Sequence, residues 1–273
     1  MPKTLLVTGA TDGIGLETAR MLVDGGHRVL VHGRNPEKLA ATVKALSDRA
    51  ADGAAVEGYL ADLSRMDEVE RLAAEIEGRH DRLDVLINNA GVFRAVPPVT
   101  AEGFDVRFAV NTLAPCLLTR RLLPLMDSNG RVINLSSAAQ APVDLEALAG
   151  RRRIADDLEA YAQSKLALTQ WSRHLAQELG EEGPAVIAVN PGSLLGTKMV
   201  REGFGTAGKE VAIGARILVR LALDEAFAGI TGRYFDNDVG RFADPHPDAL
   251  DAVRCAAVAA AVASALNGVS GSV

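Results

Sequence analysis

The chain has 273 residues, a formal net charge of −6 and a hydrophobic fraction of 48%. This length and apolarity allow a buried core, which excludes an intrinsically disordered protein. The acidic balance excludes general electrostatic attraction to nucleic acid or anionic lipid. The two cysteines, Cys116 and Cys255, show no CxxC spacing, so the sequence indicates neither a disulfide framework nor a thiolate metal site.

Strand-like and helix-like segments alternate along the chain. Strands are predicted at 5–8, 28–32, 55–59, 85–88, 131–135, 185–190 and near Tyr234. Helices are predicted at 13–24, 36–49, 66–78, 101–125, 158–179 and 209–223. The alternation is typical of an α/β fold, a Rossmann-type doubly wound parallel sheet of about seven strands with helices on both faces. No repeat or linker is visible, so residues 1–273 are predicted to form a single domain.

No segment has the length of a membrane span. The Ala-rich run 255–266 is shorter than the ~20 apolar residues that cross a bilayer as a helix. It predicts a packed C-terminal helix followed by frayed residues 267–273. The sequence therefore predicts a cytoplasmic protein without a membrane span.

Two segments, 138–160 and 193–208, do not fit the alternation. Both follow predicted parallel strands, and ligand crevices of open α/β sheets lie outside the carboxyl ends of such strands. We predict that they form two walls of a substrate pocket, with glycines 196, 203, 205 and 208 letting the second segment move as a lid. The alternative is that both are surface loops. The predicted apolar lining comprises Leu145, Leu148, Leu194, Leu195, Met199 and Phe204.

A glycine-rich turn, Thr8-Gly9-Ala10-Thr11-Asp12-Gly13-Ile14-Gly15, joins the first predicted strand to the first predicted helix. Gly9 permits a tight turn, Gly13 lets the backbone approach a pyrophosphate, and Gly15 lets the helix pack on the strand. Free N–H groups at the start of that helix favour an anion. We predict that the following residues bind a dinucleotide: Gly9, Thr11, Asp12, Gly13, Ile14 and Gly15.

The end of the second predicted strand indicates which dinucleotide binds. It reads His32-Gly33-Arg34-Asn35, without the carboxylate that holds the ribose 2′-hydroxyl of NAD. A guanidinium pairs well with a 2′-phosphate, so Arg34 and Asn35 are predicted cofactor contacts. A solvated loop arginine is the alternative. The sequence therefore favours NADP(H) over NAD(H).

Tyr161 and Lys165 are four residues apart on a predicted helix, so they project from one face. A free tyrosine has a pKa of ~10, and lowering that pKa towards ~7 takes roughly 4 kcal/mol. An adjacent ammonium can supply part of this preference for the phenolate. A surface Tyr and Lys at helical spacing is the alternative interpretation of the pair alone.

Three motifs in order carry a family resemblance: the glycine turn, Asn88-Asn89-Ala90-Gly91, and Tyr161-x3-Lys165. Over nearly its whole length the chain resembles the short-chain dehydrogenase/reductase family. The resemblance implies an enzyme that moves a hydride between nicotinamide and a carbonyl or alcohol carbon, with Tyr161 as the general acid/base and Lys165 beside it.

The same resemblance implies the remaining site residues. Ser137 resembles the hydroxyl that hydrogen-bonds the reacting oxygen, with Ser136 the less favoured choice, and Asn111 resembles the asparagine that links the lysine to a water relay. Four residues, not the usual three, separate Gly192 from Thr197, so Ser193 is an alternative nicotinamide contact. Implied cofactor contacts are Asp62, Leu63, Asn89, Ala90, Gly91, Tyr161, Lys165, Pro191, Gly192 and Thr197.

A long separation of Ser137 from Tyr161, 24 positions, is a feature of retinol-dehydrogenase-like members. The segments 162–166 and 232–235 also resemble theirs, which implies an apolar ketone, aldehyde or secondary alcohol as substrate. The family further implies a homodimer or homotetramer, although the enlarged segment 138–160 is placed to occlude an interface.

An epimerase or dehydratase with a tightly held cofactor is disfavoured, because the roughly 80 residues after Gly192 leave little room for the separate C-terminal substrate domain expected of one. A non-catalytic NADP(H)-sensing regulatory protein on the same fold is the alternative, because one fold hosts many functions. The intact set Asn111, Ser137, Tyr161 and Lys165 favours catalysis over sensing. Histidines at 27, 32, 80, 174 and 246 show no ligand spacing, so no metal is predicted, and no aromatic–basic pattern indicates nucleic acid.

Overall fold

Eight strands form one sheet in the computed structural model, which describes residues 2–50 and 53–270. The strands are β1 (Thr4–Val7), β2 (Arg28–Gly33), β3 (Ala55–Leu60), β4 (Val85–Asn88), β5 (Arg131–Leu135), β6 (Ala185–Asn190), β7 (Arg233–Asp236) and β8 (Arg241–Ala243). Their order is β3-β2-β1-β4-β5-β6-β7-β8, and only β8 pairs antiparallel to its neighbour. The predicted fold class is confirmed, with eight strands instead of about seven.

Helices cover both faces of this sheet. They are α1 (Gly13–Asp24), α2 (Pro36–Ser47), α3 (Met66–Glu77), α4 (Val106–Phe108), α5 (Ala114–Leu122), α6 (Leu145–Leu148), α7 (Asp157–Leu179), α8 (Lys198–Phe204), α9 (Ala212–Leu223) and α10 (Ala252–Ser270). Successive side chains of β1 alternate between two cores, because Leu5 packs with α1 and α9 while Leu6 packs with α3, α5, α7 and α10.

The predicted helix 101–125 begins only at Val106, and a π-helical turn interrupts it. Residues 101–105 form a turn in which Gly103 has φ +90°, and the Asp105 side chain accepts from the Arg107 N–H at the start of α4. A π-helical turn, Ala109–Leu113, separates α4 from α5. An apolar sequence pattern does not reveal such a turn, because it inserts one residue into an otherwise helical ladder.

Short helices occupy both segments that break the alternation. Asp144 accepts from the N–H groups of Glu146 and Ala147 and begins α6, and Thr197 accepts from the Val200 N–H and begins α8. At the C-terminus α10 continues to Ser270, so the predicted fraying from residue 267 is wrong up to that point. The predicted frayed residues 271–273 lie outside the described part.

Candidate active site

A cleft of about 410 Å³ opens at the carboxyl ends of the central strands. It lies where the strand order turns from β1 to β4, and its volume is in the ~300–1,000 Å³ range of small-molecule sites. The predicted site residues that line it are Gly9, Thr11, Asp12, Gly13, Ile14, Arg34, Asp62, Leu63, Asn89, Ala90, Gly91, Tyr161, Lys165, Pro191 and Thr197. The predicted residues outside its lining are Gly15, Asn35, Asn111, Ser137 and Gly192.

The glycine turn is held against the loop that follows β4. Gly9 has φ +64°, and a Cβ on Gly15 would lie 2.4 Å from both the Gly9 oxygen and Asn89 Nδ2. Asn89 Nδ2 donates to the carbonyls of Thr8 and Gly9 at 2.8 and 3.2 Å. Gly15 therefore acts by permitting close packing, and Asn89 secures the turn.

His32 supports the same turn from below. It is 2% exposed, its Nδ1 accepts from the Gly9 N–H at 3.1 Å, and its Nε2 lies 3.0 Å from the Ala61 carbonyl. An acceptor at Nδ1 requires the proton on Nε2, which then donates to Ala61. Burial lowers the pKa of His32 to about 4, so the ring is neutral at neutral pH. The sequence offers one signal for this role, the position of His32 at the end of the strand beside the turn.

The adenosine end of the cleft contains an unpaired cation. Arg34 is exposed, lines the cleft, and forms no ion pair with the residues that the structure describes. Asn35 is placed differently from the prediction, because its Oδ1 accepts from the Lys38 N–H at 2.9 Å and caps α2. Asp62 holds its own loop, accepting from the Ser64 N–H and hydroxyl at 2.9 and 2.8 Å.

Tyr161 and Lys165 project from one face of α7 at the other end of the cleft. The Lys165 Nζ lies 5.7 Å from the centroid of the Tyr161 ring and donates to the Leu135 carbonyl at 2.7 Å. Lys165 is 4% exposed, whereas Tyr161 is half-buried. The end of β5 therefore anchors the lysine beside the phenol.

Burial dominates the protonation of both groups. It lowers the pKa of Lys165 to about 7 and raises the pKa of Tyr161, while a hydrogen bond with Ser137 opposes the rise at Tyr161. This differs from the expected lowering of the tyrosine pKa by the ammonium. The physical reason is that a buried site penalises phenolate and ammonium alike.

Ser137 is the serine that affects the protonation of the Tyr161 phenol. It directly follows Ser136, whose hydroxyl contacts the Lys165 carbonyl at 3.1 Å and the Thr169 hydroxyl at 2.7 Å. Ser136 lines the cleft and is tied to α7, whereas the Ser137 side chain opposes the rise in the pKa of Tyr161. These contacts support Ser137 over Ser136 as the hydroxyl of the site.

Asn111 lies in the π-helical turn and is fully buried. Its Oδ1 accepts from the Val92 N–H at 2.8 Å, and its Nδ2 donates to the Val92 carbonyl and the Ser164 hydroxyl, both at 2.9 Å. A Cβ on Gly91 would lie 3.3 Å from Asn111 Oδ1 and 3.3 Å from Lys165 Nζ. The amide thus fixes the backbone beside the lysine, and the predicted relay stays a prediction.

Thr197 and Ser193 are placed in different surroundings. Thr197 lines the cleft, and its Cγ2 is the nearest atom to a Cβ built on Gly13, at 3.4 Å. The hydroxyl of Ser193 donates to Asp238 at 2.5 Å, and its N–H donates to the same carboxylate at 2.9 Å. Of the two, Thr197 is placed to contact a ligand.

The two predicted pocket segments separate in the structure. From 193–208, the residues Thr197, Lys198, Met199, Glu202 and Gly203 line the cleft, whereas no residue of 138–160 does. Leu145 and Leu148 pack in the core that includes α10, Leu194 is 47% exposed, and Leu195 is buried against Gly214. The side chain of Phe204 lies outside the described part.

One aromatic residue of the cleft, Phe93, was predicted only as core or pocket wall and not as a site residue. Phe93 is 6% exposed and meets the Tyr161 ring edge-on, with centroids 5.5 Å apart. A Cβ on Gly203 would lie 2.7 Å from its ring, so α8 rests directly on Phe93. The position after Asn89-Ala90-Gly91 was the available signal, since that turn was predicted to approach the cofactor.

The described residues contain neither a metal-binding cluster nor a membrane-spanning helix. Within residues 2–50 and 53–270, no group of three His, Cys, Asp or Glu side chains is arranged to hold a metal ion. Among the helices described, none combines the length and apolar character needed to cross a bilayer.

Comparison with known proteins gives consistent similarities. A family model described as short chain dehydrogenase matches residues 3–206. Retinol dehydrogenase 13 from Homo sapiens is 32% identical over 252 residues, covering 86% of this chain and 76% of that protein. An uncharacterized protein from Mycobacterium paratuberculosis superposes with a TM-score of 0.78 at 27% identity, covering 98% and 96% of the two chains. An NADP active-site complex of RhlG from Pseudomonas aeruginosa gives a TM-score of 0.68 at 28% identity, covering 86% and 94%.

Proposed function

The chain belongs to the short-chain dehydrogenase family, and on that premise we propose that it is an NADP(H)-dependent oxidoreductase of apolar ketones, aldehydes or secondary alcohols. The observation that carries the proposal is a cleft with Tyr161 and Lys165 at one end, next to the loop of Ser137, and at the other end Arg34, which forms no ion pair with the described residues. The predicted cytoplasmic location and homo-oligomeric state stay predictions.

The residues of the cleft fit NADP(H). The start of α1 lies at the cleft, where its N-terminal N–H groups favour a pyrophosphate, although the Gly13 N–H already donates to the Asp12 carboxylate at 2.7 Å. The exposed Arg34 guanidinium matches a 2′-phosphate. Lys165 offers an ammonium to ribose hydroxyls, and Thr197 lies over the glycine turn. When bound, NADP(H) supplies or accepts the hydride.

The protein's own residues then manage the proton. In reduction, the Tyr161 phenol donates its proton to the substrate oxygen while the Ser137 hydroxyl hydrogen-bonds that same oxygen. Burial keeps Tyr161 protonated, which suits the donor role. The buried Lys165, in its protonated form, stabilises the phenolate that remains. The half-buried phenol and the apolar Phe93 and Met199 at this end support an apolar substrate.

The activity is tested with a panel of ketones, aldehydes and alcohols and either NADPH or NADP⁺. The absorbance of reduced nicotinamide reports turnover. We expect turnover that increases with the apolar size of the substrate. Tight NADPH binding without turnover of any member would instead identify the NADP(H) sensor.

Removing Arg34 tests the cofactor preference. Arg34→Ala is expected to weaken NADPH binding about 10- to 100-fold, because a hydrogen bond to a charged group contributes about 1.5–3 kcal/mol. NADH binding should stay within about twofold of its original value, since NADH has no 2′-phosphate. Fluorescence titration of each nucleotide gives both dissociation constants.

Lys38→Ala is the matched control for Arg34→Ala. Lys38 is exposed in the first turn of α2, so this substitution removes a nearby positive charge from outside the cleft. The preference is wrong if the unmutated protein binds NADH as tightly as NADPH, or if both substitutions weaken NADPH equally.

Met199 on α8 tests selectivity by segment 193–208. Met199→Ala is expected to change the ratio of kcat/KM between bulky and small ketones about tenfold or more, because a buried Met side chain contributes about 1.5–3 kcal/mol. NADPH affinity should stay the same. Leu194→Ala, an equivalent truncation in the same segment but outside the cleft, should leave the ratio unchanged. If the unmutated protein and both variants have equal kcat/KM ratios, segment 193–208 does not select the substrate, and the predicted lid motion loses its support.

A further inference from the structure

The loop that carries Ser137 has a support that comes from a distant strand. The last sheet hydrogen bond of this region is from the Ser136 N–H to the Val189 carbonyl at 2.8 Å, so Ser137 itself lies beyond β5. Its carbonyl nevertheless accepts two hydrogen bonds, from the Tyr234 hydroxyl at 3.0 Å and from Gln140 Nε2 at 2.9 Å. The peptide group of the reactive serine is therefore held from two sides.

Both donors are themselves fixed. Tyr234 is 4% exposed on β7, which pairs with β6 on one side and with β8 on the other. Gln140 Oε1 accepts from the His246 N–H at 2.9 Å, which connects the loop to the segment after β8. The C-terminal part of the chain thus reaches the loop through two polar side chains.

Tyr234 is suited to a constant donor role. Burial, together with Asp236 and Asp238, raises its pKa, so its hydroxyl stays protonated over the range in which an enzyme of this kind works. Its side chain is 4% exposed, and its hydroxyl donates to the carbonyl of Ser137, so it is not free to contact a substrate. Any effect of Tyr234 on the reaction must therefore pass through Ser137.

We propose that Tyr234 is a positioning residue: with Gln140 it fixes the Ser137 peptide, so that the Ser137 hydroxyl stays directed at the Tyr161 phenol. The proposal rests on the proposed function for its effect on turnover, but the hydrogen bonds that hold the Ser137 carbonyl exist without it. Misplacement of a reacting group by about 1 Å costs up to about 100-fold in rate, so the support of a loop serine matters to catalysis.

The test uses the small number of tyrosines in the chain. There are three, at positions 59, 161 and 234, so NMR of protein labelled with ¹³C at tyrosine Cζ gives three resonances that Phe variants assign. In Tyr234→Phe the Tyr161 resonance is expected to titrate at a higher pH than in the unmutated protein, because the opposing hydrogen bond of Ser137 is weakened. Ser137→Ala should shift it in the same direction, and the double variant should shift it no further than Ser137→Ala.

Turnover is measured on the same proteins. Tyr234→Phe is expected to lower kcat about 10-fold, with unchanged NADPH affinity, and to move the kcat–pH profile in the direction of the NMR shift. Tyr59→Phe is the matched control, because Tyr59 lies on β3, the edge strand remote from the site. Its side chain is fully buried, and its hydroxyl lies 2.8 Å from His80 Nε2. It should leave the Tyr161 titration and kcat unchanged.

The outcomes separate this proposal from the proposed function. A shifted Tyr161 titration in a protein without turnover of any carbonyl supports the positioning role and removes the function. An active protein in which Tyr234→Phe and Tyr59→Phe give the same Tyr161 titration and the same kcat overturns the positioning role. An additive effect of Tyr234→Phe and Ser137→Ala on the titration overturns it as well, because Tyr234 would then act by another route.

Discussion

Tyr161→Phe is expected to reduce turnover about 100- to 10,000-fold, the range that general acid–base catalysis contributes. The substitution removes the proton donor but keeps the ring, which packs edge-on against Phe93 at 5.5 Å. NADPH affinity should change less than about threefold, because the hydroxyl makes one contact among the many that line the cleft. Steady-state kinetics and a fluorescence titration of NADPH give the two numbers.

The interpretation depends on where the hydroxyl acts. Burial raises the pKa of Tyr161, so the ligand-free phenol is protonated and ready to donate. Ser137→Ala is the useful comparison, because it removes the neighbouring hydroxyl but leaves the acid, and it should therefore be the milder variant. Turnover of Tyr161→Phe within tenfold of the unmutated protein would refute the mechanism.

Lys165→Met is expected to abolish turnover and weaken NADPH binding about 10- to 100-fold, yet to stabilise the ligand-free protein at pH 6. The ammonium is 4% exposed, and burial alone lowers the pKa of Lys165 from 10.5 to about 7. That shift corresponds to a cost of about 5 kcal/mol for the charged folded state. Loss of the hydrogen bond to the Leu135 carbonyl destabilises the variant by about 1–3 kcal/mol, so a net stabilisation of about 2–4 kcal/mol remains.

The pH dependence of this gain has a definite sign. Below pH 7 the lysine is charged in both the folded and unfolded states, so the folded protein bears the whole cost of burying the ammonium. The stabilisation by Lys165→Met is therefore largest there. Between pH 7 and 10 the folded state loses the proton before the unfolded state does, so the unmutated protein becomes more stable and the gain shrinks.

Chemical denaturation of the ligand-free proteins at pH 6 and pH 9 measures the gain. Met keeps the length and apolar stem of the lysine, so packing changes little. A variant less stable than the unmutated protein at pH 6 would show that interactions other than the hydrogen bond to the Leu135 carbonyl stabilise the buried ammonium.

Local signals predicted most of the fold. β4 and β6 match their predicted bounds, and α1 begins at Gly13 and ends at Asp24 as expected, because apolar runs and glycine stops mark these elements in the sequence itself. The antiparallel β8 was missed because its three residues are too short to form a pattern. The start of α4 was misplaced because residues 101–105 contain apolar positions at helical spacing that tertiary context overrides.

The residues of the candidate site were likewise predictable only where a local signal marks them in the sequence. Backbone-determined residues such as Gly9 and Gly13 were predictable, because positive φ selects glycine directly. Asn35, which caps α2, and Leu148, which packs near α10, were assigned to ligands because composition shows that a side chain is polar or apolar but not which neighbour it meets. The role of His32 depends on contacts with Gly9 and Ala61, residues far apart in the chain, so the sequence contained no signal for it beyond its position at the end of β2.

The position of Trp171 gives the protein an internal optical probe. Trp171 is the only tryptophan of the chain, lies on α7 about three turns beyond Tyr161, and is 2% exposed in the core to which α10 contributes Val258 and Val262. Indole emission shifts to longer wavelength when water reaches the ring. The intrinsic fluorescence spectrum therefore monitors the seating of the C-terminal helix on the helix that carries the reactive pair, in a single cuvette and without any label.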